Sequence, residues 1–306
     1  MHSSLVSELA GIATALLWGA AAFCWGELSR RMHSTAVAAV RLALAVVPLS
    51  AMHFAWYGSF WPADVPAASV GMLCLSGVVA AGIGDTLYIH GIHRIGPRLT
   101  LTITTLSPAI AALFALLPPM HERLSLLQVG GLAMAIAGVT LVVAERKGRE
   151  AWPAAPAAFR AGIVLSVVSA VCQAFGYLSS RIGMNDFSAV PVPPFSATLI
   201  RVIAACLWCS GVMVFTGKTR EASVVFRSRA AFAWLLLGVT AGPVVGIWLS
   251  MIALQGAPTG VASTLASLSP LFLIPMSWLR YGERPAPGRI LATLVALGGV
   301  ACLLLA

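Results

Sequence analysis

The sequence Leu106-Ser107-Pro108, followed by Glu122-Arg123, returns in the second half of the chain as Leu268-Ser269-Pro270, followed by Glu283-Arg284. The two copies lie about 160 residues apart, close to half of the chain, which is the spacing that an internal duplication requires. A Ser-Pro pair and a Glu-Arg pair in the same order in both halves therefore predict that one unit occurs twice.

Two further landmarks follow the same spacing. Arg41, early in a hydrophobic segment, is matched by Arg201, and Gly96-Pro97, ahead of the first Ser-Pro pair, is matched by Ala257-Pro258. We therefore divide the chain into two repeats, residues 1–150 and residues 151–306.

The composition indicates a membrane protein. Hydrophobic residues make up 59% of the 306 residues, charged residues only 9%, and the mean hydropathy is +0.92. With about 20 apolar residues for each crossing, the sequence predicts an all-α integral membrane fold of ten transmembrane helices. Their predicted ranges are 8–28, 36–55, 70–91, 98–117, 126–145, 161–182, 197–215, 232–254, 260–279 and 287–306. Five helices in each repeat place the copies in opposite orientations, as two inverted five-helix repeats around a central cavity.

The net charge of +9 does not indicate nucleic-acid binding, because the cationic residues are grouped by side of the membrane. Connections after odd-numbered helices hold nearly all of the lysines and arginines, whereas the opposite side holds only Arg123 and Arg181. By the positive-inside rule the rich side faces the cytoplasm, which puts both termini outside.

Polar residues at helical spacing predict the walls of the cavity, because a hydroxyl gains a partner when it faces water or solute. The alternative is that such stripes join helices by hydrogen bonds, worth on average about 0.6 kcal/mol each. Helix six carries Ser166, Ser169, Gln173, Tyr177 and Ser180. Helix four carries Thr100, Thr104 and Ser107, and helix nine carries Thr259, Ser263 and Ser267.

Aromatic residues are a second indication of a binding cavity. Trp18 and Trp25 are seven residues apart and share one face of helix one, and Trp248 lies deep in helix eight. A tryptophan stripe is more often packing than binding, but an aromatic wall beside a hydroxyl-rich wall suits a small amphiphilic solute.

Asp85 carries a carboxylate in the interior of a predicted span, whereas the other acidic residues lie at the ends of spans or between them. Tyr88, His90 and His93 follow it on nearby turns. An ionised group at this depth is costly unless it is paired. Three interpretations stay open: a proton carrier coupled to export, a counter-ion for a substrate ammonium, or a structural partner, such as one for Arg41. We interpret Arg41 and its repeat equivalent as helix anchors near the membrane surface.

Prolines inside spans predict bends. Proline removes an amide donor and clashes with the preceding turn, and the repeat places Pro108 and Pro270 symmetrically, so we expect a functional bend at each. For Pro48 and Pro275 a kink that only improves packing is an equal alternative.

Enzyme chemistry is not indicated. The sequence contains no His-Glu-x-x-His, Gly-x-Ser-x-Gly or Walker-type loop, and no segment is long enough to fold as a nucleotide-binding domain. The six cysteines lie in hydrophobic segments, and Cys206-x-x-Cys209 lacks further ligands, so we expect packing residues and no metal or other cofactor.

The chain resembles the EamA-type ten-helix branch of the drug/metabolite transporter superfamily. The resemblance rests on Leu17-Trp18-Gly19 in helix one, Arg41 and Arg201 in the second helix of each half, Ser107-Pro108 and Ser269-Pro270, and the turn Gly282-Glu283-Arg284. The second half departs from it, with Val168-Ser169-Ala170 in place of Leu-Trp-Gly. The resemblance implies a transporter whose termini are usually cytoplasmic, which conflicts with the charge distribution.

The expected function is a secondary transporter that exports a small metabolite or drug, such as an amino acid or related amphiphilic solute, by alternating access, with protons as a candidate coupling ion. The alternative is a passive channel or facilitator. We expect a competent monomer in the lipid bilayer of a cell membrane, most naturally a bacterial inner membrane, without a nucleic-acid partner. The residues predicted to bind the solute are Trp18, Trp25, Asp85, Tyr88, Thr104, Gln173, Tyr177, Trp248, Ser263 and Ser267.

Overall fold

The computed structural model describes residues 2–115, 125–144, 152, 155–187, 189–256, 259–281 and 287–304, and these residues form helices and connections without strands. The first half contains α1 (His2–Ser29), α2 (Ser34–Tyr57), α3 (Ala67–Ile95), α4 (Pro97–Thr104), α5 (Ser107–Ala115) and α6 (Leu126–Ala144). The second half contains α7 (Pro156–Asn185), α8 (Pro194–Phe215), α9 (Arg229–Gly256), α10 (Thr259–Ala266), α11 (Ser269–Tyr281) and α12 (Pro287–Leu304). One helical turn (Thr219–Ala222) and a 3₁₀ turn (Ser223–Arg227) connect α8 to α9.

Within the described ranges, six helices are long and apolar enough to cross a membrane: α1, α2, α3, α7, α8 and α9. Two shorter apolar helices lie at 129–141 and 290–299. The predicted spans 98–117 and 260–279 are not single helices, since each region is divided into two short ones, α4 with α5 and α10 with α11.

The division of both regions follows from the Ser-Pro pairs. Pro108 has no amide hydrogen to donate to the carbonyl of Thr104, four residues before it, and its ring clashes with the preceding turn. The hydroxyl of Ser107 donates to that carbonyl at 2.6 Å instead. In the second repeat Ser269 donates in the same way to the Ala266 carbonyl. Each serine therefore satisfies the backbone group that its neighbouring proline leaves free.

The helices α3 and α9 contain π-helical segments at equivalent places, Gly77–Gly84 and Thr240–Gly246. A π segment widens the helix and shifts the face that later residues present. Both segments are rich in small residues, and Gly77 lies directly on the backbone of Arg201 in α8, where a Cβ atom would collide with it. Glycine is therefore required for the close approach of α3 and α8.

Helix packing is repeated between the two halves. The equivalent helices α2 and α8 pack along each other, as do α6 and α12. In addition, α1 packs against α9, α10 and α11 of the second half, while α7 packs against α3, α4 and α5 of the first. The interior is therefore built mainly from contacts between the halves.

The cationic connections gather at one end of the helices. The guanidinium carbon of Arg30 lies 4.2 Å from the ring centroid of Trp152, which joins the α1–α2 connection to the α6–α7 connection. The amide of His33 donates to Glu221 at 3.1 Å, which joins it to the α8–α9 connection. This grouping in space agrees with the grouping expected from the sequence.

The opposite end is held by neutral polar contacts. The Nδ1–H group of His53 donates to the Ser59 carbonyl at 2.7 Å, and its Nε2 lies 3.0 Å from the Ser196 hydroxyl. Gln255 donates to the Val192 carbonyl at 2.8 Å. These bonds connect the end of α2 to the start of α8, and the end of α9 to the connection between α7 and α8.

Several predicted landmarks lie outside the described residues. These are the two Glu-Arg pairs (122–123 and 283–284), residues 257–258, the predicted repeat boundary at 150/151 and the side chain of Thr259.

Candidate functional site

A cavity of about 110 Å³ lies between the two halves, which is enough for several waters or part of a small solute. Twelve lining residues come from each half. The first half supplies Trp18, Ala21, Ala22, Trp25, Arg41, Ala81, Asp85, Tyr88, Leu101, Thr104, Thr105 and Ser107. The second half supplies Ser169, Gln173, Tyr177, Arg201, Gly242, Pro243, Ile247, Ser250, Ala266, Ser267, Ser269 and Pro270.

Several lining residues are repeat equivalents of one another. Arg41 and Arg201 both reach the cavity, as do the serines of the two Ser-Pro pairs, Ser107 and Ser269. Because equivalent positions of both halves form the walls, the cavity lies on the axis of the internal duplication.

An ion pair forms one wall. Nη2 of Arg41 donates to Oδ2 of Asp85 at 2.7 Å and to the Ala81 carbonyl at 3.1 Å. The amide of Gln173, from the second half, donates to Oδ1 of Asp85 at 2.7 Å. The side chain of Arg41 is 4% exposed and that of Asp85 20% exposed, so the pair is largely removed from solvent but not sealed. Asp85 therefore accepts on both of its oxygens, from Arg41 within its own half and from Gln173 across the two halves.

Aromatic rings form another part of the wall. Trp18 and Tyr177 stack with ring centroids 6.4 Å apart and an interplanar angle of 29°. The guanidinium carbon of Arg41 lies 5.6 Å from the ring centroid of Trp25, within the range of a cation–π contact. The cavity thus combines apolar faces with charged and hydroxyl groups.

Arg201 is the second cation in the lining, and its burial corrects the interpretation of both arginines as anchors at the membrane surface. The residue is 5% exposed, and Arg41 is 3% exposed. Nη1 of Arg201 donates to the sulfur of Met251 at 3.3 Å. Spacing along a helix does not say which neighbours its faces meet, and here both arginines reach the cavity, Arg41 beside Asp85 and Arg201 beside Met251.

Eight of the ten residues predicted to bind a solute line this cavity: Trp18, Trp25, Asp85, Tyr88, Thr104, Gln173, Tyr177 and Ser267. Binding of a solute by them stays a prediction. The structure brings them together from α1, α3, α4, α7 and the turn between α10 and α11.

Trp248 lies outside the lining. Its ring centroid is 5.4 Å from those of Trp56 and Phe195. The π segment Thr240–Gly246 directly precedes it and shifts the phase of α9, so that Ser250 faces the cavity instead. Sequence spacing alone assumes a regular helix and misses this shift.

Ser263 is also outside the lining. It is buried within α10, and its carbonyl accepts the hydroxyl of Ser267 at 2.8 Å. The break after α10 separates these two serines, so the predicted stripe does not continue along one straight face.

The helix-six stripe is divided between cavity and packing. Ser169, Gln173 and Tyr177 line the cavity, whereas the Ser180 hydroxyl lies 2.7 Å from that of Ser76 in α3. The lining residue Ser250 carried no signal of its own in the sequence, and only comparison of the repeats would have indicated Thr105 from its equivalent Ser267.

In the described part of the chain, no group of three or more His, Cys, Asp or Glu residues comes together. The histidines that follow Asp85 face other partners. His90 Nε2 lies 3.3 Å from the Thr35 hydroxyl, and His93 donates to the Ser29 carbonyl at 2.7 Å. Cys209 donates to the Gly82 carbonyl at 3.6 Å, a packing contact between α8 and α3.

The model of the EamA-like transporter family matches residues 5–144 and again residues 160–305. The chain belongs to the EamA-like transporter family. Its two matches cover the two halves whose equivalent residues build the cavity, so this EamA-like transporter consists of two family repeats. The family and the apolar helices identify a multi-pass membrane protein with a role in transport.

No curated protein matches the sequence of this EamA-like transporter. A crystal structure of another protein superposes on it with a TM-score of 0.67 at 17% sequence identity, over 98% of this chain and 96% of the other. At this identity the similarity shows a shared fold and nothing about the solute.

Proposed function

We propose that this EamA-like transporter is a secondary carrier that exports a small metabolite or drug, such as an amino acid or related amphiphilic solute, by alternating access. The observation that carries the proposal is a cavity whose wall comes equally from the two repeats and holds charged, hydroxyl and aromatic groups. A solute there contacts both repeats at once, so movement of one repeat against the other changes the side to which the solute is open.

The proposed arrangement has ten transmembrane helices in two inverted five-helix repeats, residues 1–150 and 151–306. In it α4 with α5, and α10 with α11, each act as one broken span. The first helix of each half, α1 or α7, packs against helices of the other half, and this reciprocal packing supports two repeats in opposite orientations. Breaks in a membrane span are tolerated where the backbone lines a cavity, and both breaks do so. We propose a monomer in a bacterial inner membrane.

The proposed orientation puts the cationic end in the cytoplasm, where the positive-inside rule places it. Arg30 and Arg94 belong to this end. Both termini then face outward, against the habit of the family.

Proton coupling through Asp85 is a finer part of the proposal. The two hydrogen bonds from Arg41 and Gln173 favour the interpretation of Asp85 as a structural partner in this conformation. A proton carrier requires Asp85 to leave Arg41 in another conformation of the cycle.

The test is counterflow of labelled amino acids, purines and cationic drugs into liposomes that contain the purified protein, with and without an imposed proton gradient. A carrier gives saturable counterflow of one solute class. Acceleration by the gradient that is lost in Asp85→Asn supports coupling. Flux that rises linearly with concentration and shows no counterflow contradicts the carrier and indicates a passive channel. Leu207→Ala, an exposed change on α8, serves as the control.

A further inference from the structure

Arg201 is a buried cation that forms no ion pair among the described residues; the carboxylate of Asp85 attracts it from a distance but is hydrogen-bonded to Arg41 and Gln173. Arg201 is 5% exposed, its Nε atom has no hydrogen-bond partner, and its one hydrogen bond goes to the sulfur of Met251, a weak acceptor. Charged groups inside a membrane protein are costly unless they are paired, so an arginine held in this way requires an anion.

Comparison of the repeats shows what the second half lacks. Arg41 has Asp85 as its partner, and the Gly96-Pro97 and Ala257-Pro258 landmarks align Asp85 with Gly246. The sequence contains no Asp or Glu between Glu221 and Glu283, so no helix there supplies a replacement. The arginine therefore occurs in both halves, whereas the carboxylate occurs only in the first.

Three further polar atoms of the cavity wall are buried without a hydrogen-bond partner, whereas the hydroxyls of Thr104, Thr105, Ser107, Ser250, Ser267 and Ser269 donate to backbone carbonyls. The hydroxyl groups of Tyr88 and Ser169 and the Nε atom of Arg41 are buried in the described structure without a hydrogen-bond partner. The lining carboxylate, Asp85, already accepts from two donors. With two arginines and one carboxylate, the wall carries a surplus of one positive charge, which suits a ligand that brings one negative charge.

The apolar residues of the wall restrict the part of the ligand that carries no charge. Trp18, Trp25 and Tyr177 offer aromatic faces, and Ile247 and Leu101 add aliphatic surface. A flat or apolar body can pack here without leaving further polar groups unpaired.

We infer that Arg201 binds the carboxylate of the transported solute, which is a small monoanionic organic acid with an apolar or aromatic body. The inference rests on the proposed function and specifies its substrate class. In this arrangement the solute carboxylate gives Arg201 the partner that Asp85 gives Arg41, and the cavity is neutral when loaded.

Binding of labelled phenylacetate to the detergent-purified full chain tests this directly, with unlabelled phenylacetate, phenylacetamide, phenethylamine and phenyl phosphate as competitors. A charge-assisted hydrogen bond predicts that the acid binds about ten- to a hundredfold more tightly than its amide. Arg201→Gln should abolish this preference, and Arg201→Lys should keep part of it. Lys218→Gln removes an exposed charge and should leave the preference unchanged.

A second pair of variants covers the case in which Arg201→Gln does not fold. Met251 already contacts Arg201, so Met251→Glu supplies an internal carboxylate and should weaken phenylacetate binding about tenfold or more while leaving the amide unchanged. Met251→Gln, similar in size but neutral, should have a much smaller effect. Equal effects of the two variants would overturn the inference.

The remaining outcomes separate this inference from the proposed function. Acid binding that depends on Arg201, without counterflow of any solute, supports the anion site and contradicts the carrier. Saturable counterflow of amines or amides, with acids no better than amides, supports the carrier and overturns the anion site. Preference for phenyl phosphate over phenylacetate overturns the assignment of a carboxylate, and loss of every solute in Arg201→Gln and Arg201→Lys alike indicates a structural arginine.

Discussion

The Asp85→Asn substitution removes the negative charge from the ion pair with Arg41 while keeping the size of the side chain. Two unit charges about 4 Å apart interact by about 4 kcal/mol at an effective dielectric constant of about 20. Asp85 is 20% exposed, and asparagine keeps a hydrogen-bond acceptor, so we expect a net loss of about 2–4 kcal/mol in the free energy of unfolding.

A double-mutant cycle isolates this pair from other effects of the substitution. With the pair already broken by Arg41→Gln, Asp85→Asn should cost less, giving a coupling energy of about 2–3 kcal/mol. Equilibrium unfolding by SDS in mixed micelles, followed by circular dichroism, measures the four free energies. The exposed pair Lys218–Glu221, with 3.8 Å between its charged atoms, is the control and should couple by less than about 1 kcal/mol. A coupling at Arg41–Asp85 no larger than that of the control would show that burial does not strengthen this ion pair.

Three other substitutions test the packing and the cavity. Gly77→Val should destabilise the fold by about 1–3 kcal/mol in the same SDS assay, because the valine side chain collides with the Arg201 backbone. The control is Gly71→Ala on the same helix, whose added Cβ meets no other atom, so it should be neutral or slightly stabilising. Equal effects of the two substitutions would contradict the predicted collision. Ser107→Ala should cost about 1–3 kcal/mol by leaving the Thr104 carbonyl without its donor, and a change within 0.3 kcal/mol would show that water or another group replaces it. Tyr177→Ala should raise the counterflow KM about tenfold through loss of the stacked wall, and an unchanged KM would exclude α7 from the binding site.

The duplication and the helical class could be predicted because they depend on residue order and hydrophobicity. The paired Ser-Pro landmarks mark the two breaks, and the apolar runs locate the six long helices. The sequence predicted only bends at these prolines. It does not show that Ser107 and Ser269 satisfy the carbonyls that the prolines leave free, which allows each span to divide into two separate helices.

The cavity could be predicted where a polar or aromatic stripe lies on a regular helix, as with Trp18 and Trp25 on α1 or Gln173 and Tyr177 on α7. It could not be predicted beyond a π segment, where the facing side of α9 changes and Trp248 turns away. The two arginines were misinterpreted for a different reason. The burial of their side chains depends on how neighbouring helices pack, and the hydropathy of one helix does not contain that information.

In the proposed carrier, the cavity between the repeats lies on the solute's path across the membrane. Ser250 lines the cavity from α9, so Ser250→Cys in a chain whose six native cysteines are replaced provides a reporter at that depth. Labelling by a membrane-impermeant thiol reagent is measured from each side of oriented proteoliposomes. We expect the thiol reagent to label the cysteine from both sides, and a transported solute to reduce the labelling from both sides. Labelling from one side alone, unchanged by any solute that the protein transports, would contradict it.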